Sequence, residues 1–209
     1  MEKYFEVLCM CPLFRDIAHW ELTKALRCLN ARVFSFEKGE AVMNESEPAK
    51  YVGIVLTGSF QIVPGELFGE SFACAGVEVV PVSVLASEAA EVMLIDCLKI
   101  SHSCSNACQF HQQMIDNLLQ IVAAKNLVLH QKIEVTSKRT TREKLMAYLM
   151  LQAKQFGSLE FEIPYDRQEL ADYLEVERSG LSAEIGKLRR QGVIEADRSR
   201  FKIYKPFDV

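Results

Sequence analysis

The chain has 209 residues, of which 49% are hydrophobic and 25% are charged, and its net charge is −4. These values are ordinary for a globular protein and argue against a uniformly basic nucleic-acid binder. No apolar run approaches the roughly 20 residues of a membrane-spanning helix, and the first residues lack the basic and apolar regions of a secretory signal. We therefore expect a cytoplasmic protein without a membrane partner.

Residues 1–104 are predicted to form a β-rich sensor domain behind two short helices. The helices are expected within residues 4–29, with Pro12 between them. From Arg32 onward, short β-branched and aromatic runs alternate with Gly, Pro, Glu and Asn. The runs are ARVFSF, EAVM, YVGIVL, SFQIV, PVSVLA and EVMLID. Short strands at this spacing predict a jelly roll, and with the helices that follow they place the chain in the α+β class.

A long helix is predicted from residue 105 to residue 136, a stretch that contains neither Gly nor Pro. Apolar residues recur along it at alternating intervals of four and three, which is typical of a coiled-coil seam in a homodimer. The seam residues are Ile115, Leu119, Val122, Asn126, Leu129 and Ile133. Asn126 is the polar core position that commonly selects a two-stranded state. The shifted register would bury Lys125 and Lys132, so we reject it as a seam. The alternative is a helix that packs on its own domain.

Residues 137–209 are predicted to form a winged helix-turn-helix domain. The polar stretch Ser137–Arg142 is the expected hinge. A helix over Arg142–Phe156 closed by Gly157, a strand over Leu159–Ile163, two helices within Asp166–Gly192, and a β-hairpin wing made of Val193–Ile194 and Phe201–Tyr204 are expected after it. Asp166 followed by Glu169 is a helix-start signal, because each side chain can cover an unpaired backbone amide. A wing makes the pattern far more specific than a bare helical hairpin.

Basic residues concentrate at the C-terminal end of the chain. Residues 139–209 hold 13 basic and 12 acidic side chains, whereas residues 1–138 hold 11 and 16. Such a local basic face suits contact with DNA phosphates. The alternative is a solvated polar face with no DNA role. The candidate DNA-binding residues are Arg167, Gln168, Arg178, Ser179, Ser182, Lys187, Arg198 and Arg200, with Lys202 as a further phosphate contact of the wing.

Seven cysteines in a cytoplasmic chain indicate free thiols, a metal site or a redox switch rather than a disulfide scaffold. The densest set of candidate ligands is His102, Cys104, Cys108 and His111. The last three are spaced so that one helical face can present them together, and Zn(II) or Fe(II) accepts such ligands. The alternative is that the cysteines fill the gap between helix and sheet. Metal therefore stays an open cofactor.

Several local motifs, in the order sensor domain, long helix and winged helix, resemble the cyclic-AMP-receptor/FNR (Crp/Fnr) family of bacterial transcription regulators. They are Pro12-Leu13-Phe14, the FEKGE turn at Phe36–Glu40, GIVLTGSFQIV at Gly53–Val63, PGELFGE at Pro64–Glu70, RTTREKL at Arg139–Leu145 and DRQELA at Asp166–Ala171. The resemblance covers essentially the whole chain. It implies a homodimer that binds an inverted-repeat DNA site, with RNA polymerase as a candidate partner.

The resemblance places the recognition helix at about Glu177–Gln191. By alignment of the turns, Arg178 occupies a base-reading Arg position of the family. Ser179 stands where Glu is usual, and Ala183 where Arg is common. A carboxylate that accepts from cytosine and a guanidinium that forks onto guanine are therefore missing. We expect a half-site different from the family's best-known one.

The same resemblance implies an effector pocket around the PGELFGE segment, which is similar to the family's phosphate-binding cassette. The candidate pocket residues are Gly65, Glu66, Phe68, Gly69, Glu70, Val80 and Val82. The Arg and Ser that neutralise a cyclic nucleotide's phosphate are replaced by Val80 and Pro81, and no Arg or Lys lies between Lys50 and Lys99. A buried phosphate would lack a cation there, which is costly. The sequence argues against cyclic AMP and predicts an apolar pocket.

We conclude from the sequence that the chain is a dimeric transcription regulator whose DNA affinity responds to an effector, redox or metal signal. No P-loop, dinucleotide-binding, serine-hydrolase or zinc-protease motif is present, so no enzyme is expected. A cupin-type enzyme would need histidines on strands, whereas the four histidines fall on or beside predicted helices. The remaining alternative is a small-molecule-sensing or metal-sensing dimer without a DNA role.

Overall fold

The computed structural model describes residues 2–60, 66–102 and 109–205. It divides into two compact units, Met1–Lys125 and Asn126–Val209. Within the described residues, no helix is both long and apolar enough to cross a bilayer. The α+β fold predicted above is confirmed: a sheet domain, a long helix and a helix-turn-helix domain follow one another along the chain.

The N-terminal unit contains two small antiparallel sheets. The first has the strand order β1-β6-β3-β4 and the second pairs β2 with β5. The strands are β1 Arg32–Phe36, β2 Ala41–Met43, β3 Tyr51–Thr57, β4 Leu67–Phe68, β5 Val84–Leu85 and β6 Ala90–Asp96. Five of the six predicted runs contain all or most of a strand. Strand β4 was not predicted, because a strand of two residues gives no periodic signal. The predicted strand SFQIV covers residues 59–63, of which 61–63 lie outside the described residues.

Alternation along β3 and β6 gives the first sheet two apolar faces. Ile54 and Met93 face one cluster with the N-terminal helices, whereas Val55 and Val92 face a second cluster with β2 and β5. Successive side chains of a strand point to opposite faces, so both strands are buried on both sides and read as continuous apolar runs. The helices are α1 Phe5–Met10, α2 His19–Cys28, α3 Glu70–Ala75 and α4 Cys97–Ser101.

The long helix α5 spans Gln109–Thr136 in the described part of the chain and carries two apolar stripes. One stripe, with Met114 and Leu118, is buried in the N-terminal cluster. Asn117 is buried beside it and donates to the carbonyl oxygens of Leu13 and Arg15 at 3.0 and 2.8 Å. This is the register that the sequence rejected as a dimer seam. It was rejected because a dimer seam there would bury Lys125 and Lys132; in the folded chain Lys125 is ion-paired and half-exposed.

The other stripe of α5 is the predicted seam, and it meets little of its own chain. Leu119, Leu129 and Ile133 are 68%, 62% and 61% exposed. Asn126 is also exposed, while Ile115 and Val122 are partly covered. The sequence left two alternatives, a dimer seam and a helix packed on its own domain. The helix packs on its own domain through one stripe, and the other stripe is exposed. The dimer itself stays a prediction.

The C-terminal unit is a three-helix domain with a three-stranded sheet in the order β7-β9-β8. Its elements are α6 Thr141–Phe156, β7 Glu160–Glu162, α7 Arg167–Leu174, α8 Arg178–Arg190, β8 Ile194–Asp197 and β9 Arg200–Ile203. Thr140 and Glu143 form a capping box at the start of α6, and Gly157 ends it with a φ of 62°. A left-handed residue after a helix favours glycine, so this boundary was predictable to within one residue.

Candidate functional site

Helix α7 begins where the sequence predicted. The Asp166 carboxylate accepts hydrogen bonds from the backbone N–H of Gln168 and Glu169 at 2.7 and 2.8 Å. The Glu169 carboxylate accepts in return from the Asp166 N–H at 2.8 Å. Both partners of the predicted capping box are therefore in place. A box of this kind fixes the direction in which the helix leaves the preceding loop.

The turn between α7 and α8 is made by Glu175, which has a φ of 53°. A non-glycine residue in this left-handed region is uncommon, and here lysines surround it. Lys144 donates to the carbonyl oxygens of Leu174 and Glu175 at 3.1 and 3.4 Å. Lys132 donates to the Tyr173 carbonyl and lies 3.7 Å from the Glu175 carboxylate. Two ammonium groups thus cover the unpaired carbonyls at the end of α7.

Helix α8 presents a polar face backed by an apolar one. Leu181, Ile185 and Leu188 are buried at the helical spacing and hold α8 against the domain core. Most of the other side chains point outward, and they are Arg178, Ser179, Ser182, Ala183, Lys187, Arg189 and Arg190. All four α8 residues predicted to contact DNA are exposed. Ser179, Ser182 and Ala183 have small side chains, so the backbone of the N-terminal half of α8 is open to close approach.

Glu184 of α8 was missed by the sequence reasoning. Its carboxylate lies 3.5 Å from Arg142 Nη1 on α6 and 3.9 Å from Lys187 Nζ. Arg142 also donates to the Gln191 side chain at 2.8 Å. Arg142 therefore links α6 to the middle and the end of the recognition helix. The sequence carried no signal for this contact, because the two residues are 42 positions apart.

The predicted wing is present as the hairpin β8–β9. Arg198 lies in its turn with a φ of 50° and is exposed. Arg200 lies 3.9 Å from the Glu162 carboxylate, and Lys202 lies 3.1 Å from the Glu160 carboxylate. The hydrogen bond to Glu160 raises the pKa of Lys202. Strand β7 therefore places acidic partners beside two of the cations that the sequence assigned to phosphate.

Arg167, a predicted DNA contact, has partners within its own domain. It is only partly exposed, donates to the Arg198 carbonyl at 3.2 Å and lies over the Phe201 ring at 5.7 Å. Burial lowers its pKa. Arg167 therefore ties the tip of the wing to the start of α7. Gln168 is exposed and donates to Asp172 at 2.8 Å.

The predicted effector pocket is filled by the protein's own aromatic side chains. Phe68 packs directly over Gly53, where a Cβ would collide with its ring. Phe60 lies 6.0 Å from Phe68, and both are buried in the cluster between the two sheets. A groove of about 620 Å³ beside this cluster opens to the surface and is lined by Lys38, Phe60 and residues 83–87. The apolar character was predicted, and in the described residues Phe60 and Phe68 occupy the space between the sheets.

The remaining predicted pocket residues divide between the surface and the interior. Val82 is 46% exposed and Glu66 lies at the surface, so neither lines the interior as expected. Val80 is buried, and its backbone N–H donates to the Glu47 carbonyl at 2.8 Å. Gly69 precedes α3 with a φ of 77°. Gly65 lies outside the described residues.

Glu70, the first residue of α3, is buried and ion-paired. It is 3% exposed, and its carboxylate oxygen Oε1 lies 2.8 Å from Lys125 Nζ on α5. Lys125 also donates to the Leu67 carbonyl at 2.8 Å. The sequence found no cation near the cassette because it counted only residues 51–98. The fold supplies one, Lys125, from another element, and Glu70 already neutralises it.

The predicted metal or redox cluster is only partly described. Cys104 and Cys108 lie outside the described residues. His102 is exposed at the end of α4, with Nδ1 3.1 Å from the Ser101 hydroxyl. His111 is buried beside Phe110, and its Nε2 lies 4.0 Å from Cys28 Sγ. Among the residues that the structure describes, no three His, Cys, Asp or Glu side chains gather as a metal site.

The chain is similar to one protein family and to several solved structures. Residues 143–206 match the family model of the Crp-like helix-turn-helix domain. CprK in complex with OCPA is similar over 88% of this chain and 89% of its own, at 12% identity and a TM-score of 0.55. The c-di-GMP-responsive regulator CLP of Xanthomonas campestris is similar over 88% and 99%, at 13% identity and a TM-score of 0.52. FixK2 of Bradyrhizobium japonicum is similar over 84% and 93%, at 20% identity and a TM-score of 0.45. No curated protein matches the chain.

Proposed function

From a Crp-like helix-turn-helix domain on a chain with the fold of Crp/Fnr transcription regulators, we propose that this protein is a cytoplasmic, homodimeric regulator that reads an inverted-repeat DNA site. Its DNA affinity is set by a signal at the N-terminal unit. The observation that carries the proposal is the two-sided recognition helix. Leu181, Ile185 and Leu188 anchor one face, and a polar face with Arg178, Ser179 and Ser182 is free for base edges.

Dimerisation through α5 is supported by its exposed stripe. Leu119, Leu129 and Ile133 are each more than half exposed and lie on the face predicted from the coiled-coil spacing. Exposed apolar side chains in a continuous row are unusual on a monomer and mark an interaction surface. A parallel pair of α5 helices would cover them and would place Asn126 opposite its own copy. Two recognition helices related by a two-fold axis then require an inverted-repeat site.

Base reading is assigned to Arg178, Ser179 and Ser182, with phosphate contacts from Gln168, Lys187 and Arg198. Arg178 can donate two hydrogen bonds to guanine O6 and N7. Ser179 and Ala183 present little side chain, so their positions specify bases weakly. Wing residues Arg200 and Lys202 are shared with carboxylates of β7, so they contribute less to phosphate binding than their charge suggests.

The signal is proposed to be something other than a cyclic nucleotide. Phe68 and Phe60 fill the space between the sheets, Val80 replaces the cationic residue, and Lys125 is already neutralised by Glu70. An anionic ligand entering there would have to displace aromatic packing and would meet Lys125 already paired with Glu70. An apolar effector would need no cation, and a change in thiol state would meet neither cost. RNA polymerase stays a prediction as partner.

The test is binding-site selection from random DNA with the full-length protein, followed by affinity measurements over a range of salt concentrations. We expect a recovered inverted repeat whose half-site differs from the family's best-known one. Arg178→Ala should weaken specific binding by about 1–3 kcal/mol and relax one base position. Lys99→Ala, an exposed lysine in the N-terminal unit, is the matched control and should change nothing.

Two outcomes would count against the proposal. A steep salt dependence without any recovered sequence would leave only non-specific DNA binding. Absence of binding by a correctly folded dimer would favour the alternative of a small-molecule-sensing or metal-sensing protein without a DNA role. Recovery of the family's usual half-site would leave the proposal of a transcription regulator intact, but it would contradict the inference that Ser179 and Ala183 change the half-site.

A further inference from the structure

Two cysteines that play no part in the site described above contact each other in the N-terminal unit. Cys74 lies in α3 and Cys97 is the first residue of α4, and their sulfur atoms are 3.6 Å apart. Cys74 is exposed, whereas Cys97 is 4% exposed. The two residues are 23 positions apart, so the fold rather than the chain brings them together.

The two thiols differ in how firmly they are held. The Cys97 N–H donates to the Lys50 carbonyl at 2.8 Å, and Asp96 caps α4 by accepting from the Leu98 N–H at 2.9 Å. Cys74 lies on a six-residue helix bounded by Gly69 and Gly76, both at positive φ. A disulfide bond needs the sulfur atoms at about 2.05 Å, so they must approach by roughly 1.5 Å. A short helix between two glycines can supply a movement of that size.

The surroundings also give the two thiols different chemical roles. Burial, reinforced by the contact with Cys74, raises the pKa of Cys97 to about 12. Cys97 is therefore a protonated thiol that solvent reaches poorly. Cys74 meets solvent and any dissolved oxidant first. An accessible cysteine next to a resolving cysteine is the arrangement found at reversible oxidation sites.

We propose that Cys74 and Cys97 are a reversible oxidation site, at which a hydroperoxide converts the two thiols into a disulfide that joins α3 to α4. In the first step the Cys74 thiolate attacks a peroxide oxygen. The S–O bond forms, the O–O bond breaks, and the departing hydroxide takes the proton released by Cys74, so that water and a sulfenic acid result. In the second step the Cys97 sulfur attacks the Cys74 sulfur. The S–S bond forms and the S–O bond breaks, and the Cys97 thiol proton leaves with the hydroxide as water. Two thiols lose two electrons and hydrogen peroxide becomes two waters.

The disulfide would tie down the helix that carries the buried ion pair. Glu70 is the first residue of α3, and its carboxylate is held by Lys125 on α5. A covalent link from α3 to α4 closes a loop over residues 74–97 and restricts the unfolded chain of this unit. Oxidation should therefore raise the unfolding midpoint of the N-terminal unit and lock the position of α3. The inference does not depend on DNA binding.

The experiment treats the reduced full-length protein with a few equivalents of hydrogen peroxide, blocks remaining thiols with iodoacetamide and maps the peptides by mass spectrometry. We expect a linked peptide that contains Cys74 and Cys97, an intact mass lower by about 2 Da before alkylation, and full reversal by dithiothreitol. The denaturation midpoint followed by Trp20 fluorescence should rise on oxidation. Trp20, the chain's one tryptophan, lies in α2 of the same unit.

Two variants make the result decisive. Cys74→Ser changes an exposed side chain and should fold normally, lose the linked peptide and leave Cys97 open to alkylation only after unfolding. Cys9→Ser removes another exposed thiol of this unit and should still form the link. Over-oxidation of Cys74 while Cys97 stays a thiol would overturn the proposal, and so would a link that joins Cys74 mainly to a different cysteine.

Discussion

Replacing Lys125 by methionine should destabilise the N-terminal unit, because it leaves the Glu70 carboxylate buried without its cation. Lys125 Nζ lies 2.8 Å from Glu70 Oε1 and also donates to the Leu67 carbonyl. The Glu70 side chain is 3% exposed, while that of Lys125 is 47% exposed. Methionine keeps the packing of the lysine stem and removes only the charge and the donors.

The size of the effect follows from these exposures. Two unit charges 2.8 Å apart attract by about 6 kcal/mol at an effective dielectric constant of about 20. Water screens this attraction on the half-exposed lysine side, so the full value is an upper bound. Removing one partner of a fully buried pair costs about 3–5 kcal/mol. For a pair with one wet partner we expect about 2–3 kcal/mol.

The assay is urea denaturation followed by Trp20 fluorescence, which reports on the unit that contains the ion pair. Lys38→Met, at an exposed turn, is the control for the loss of one positive charge and should change the free energy of unfolding by less than about 0.5 kcal/mol. The double variant Glu70→Gln with Lys125→Met removes both charges and should recover about half or more of the loss. A Lys125→Met protein as stable as Lys38→Met would refute the reasoning, as would a double variant less stable than Lys125→Met alone.

Four further predictions concern the rest of the molecule. Leu129→Lys should weaken dimerisation about 100-fold or more, since each dimer loses two buried leucines. Sedimentation would show this, with the exposed Leu98→Lys as control. A dimer of unchanged stability would show that α5 is not the dimer interface. Gly53→Ala should cost about 1–3 kcal/mol in the free energy of unfolding by forcing Phe68 out of place, and an unchanged urea midpoint would show that the ring yields freely. Replacing Glu160 and Glu162 by glutamine should tighten DNA binding and steepen its salt dependence. The reason is that the wing cations lose exposed ion-pair partners, each of which contributes under about 1 kcal/mol. An unchanged affinity would indicate that the wing does not contact DNA. Hydrogen bonds from Thr140 lower the pKa of Glu143, so its contribution to stability is present above its ordinary pKa and is lost as the pH falls through the lowered value. The difference in the free energy of unfolding between wild type and Glu143→Ala should therefore shrink over that acidic range. A difference that stays constant with pH would contradict the capping box.

Much of the DNA-binding domain was predictable from local chemistry. Asp166 and Glu169 predict the start of α7, and Gly157 predicts the end of α6. The apolar spacing of Leu181, Ile185 and Leu188 predicts the buried face of α8. Each of these signals involves residues a few positions apart, whose interaction depends on helix geometry alone. The exposed face of α8 follows as the complement of the buried one.

Contacts between distant residues were not predictable in the same way. Arg167 was predicted to contact DNA, and only the folded domain shows that the Arg198 carbonyl and the Phe201 ring lie against it. Glu184 had no assigned role until α6 placed Arg142 beside it. The wing cations were counted as free, although β7 pairs with β9 and lines up Glu160 and Glu162 with them. Charge along the chain does not reveal which charges meet.

The long helix shows where local pattern ends and tertiary structure begins. Its spacing alone determined that α5 has an apolar seam through Leu119, Leu129 and Ile133, because a repeat of four and three residues keeps these side chains on one face. Only the folded chain decided that the neighbouring stripe with Met114 and Leu118 is the one that packs inside its own unit. From the sequence, that stripe was rejected as a dimer seam because it would bury Lys125 and Lys132. A lysine at the edge of a core can reach a buried carboxylate and keep half its surface in water, and the carboxylate that receives it is contributed by α3, 55 residues away.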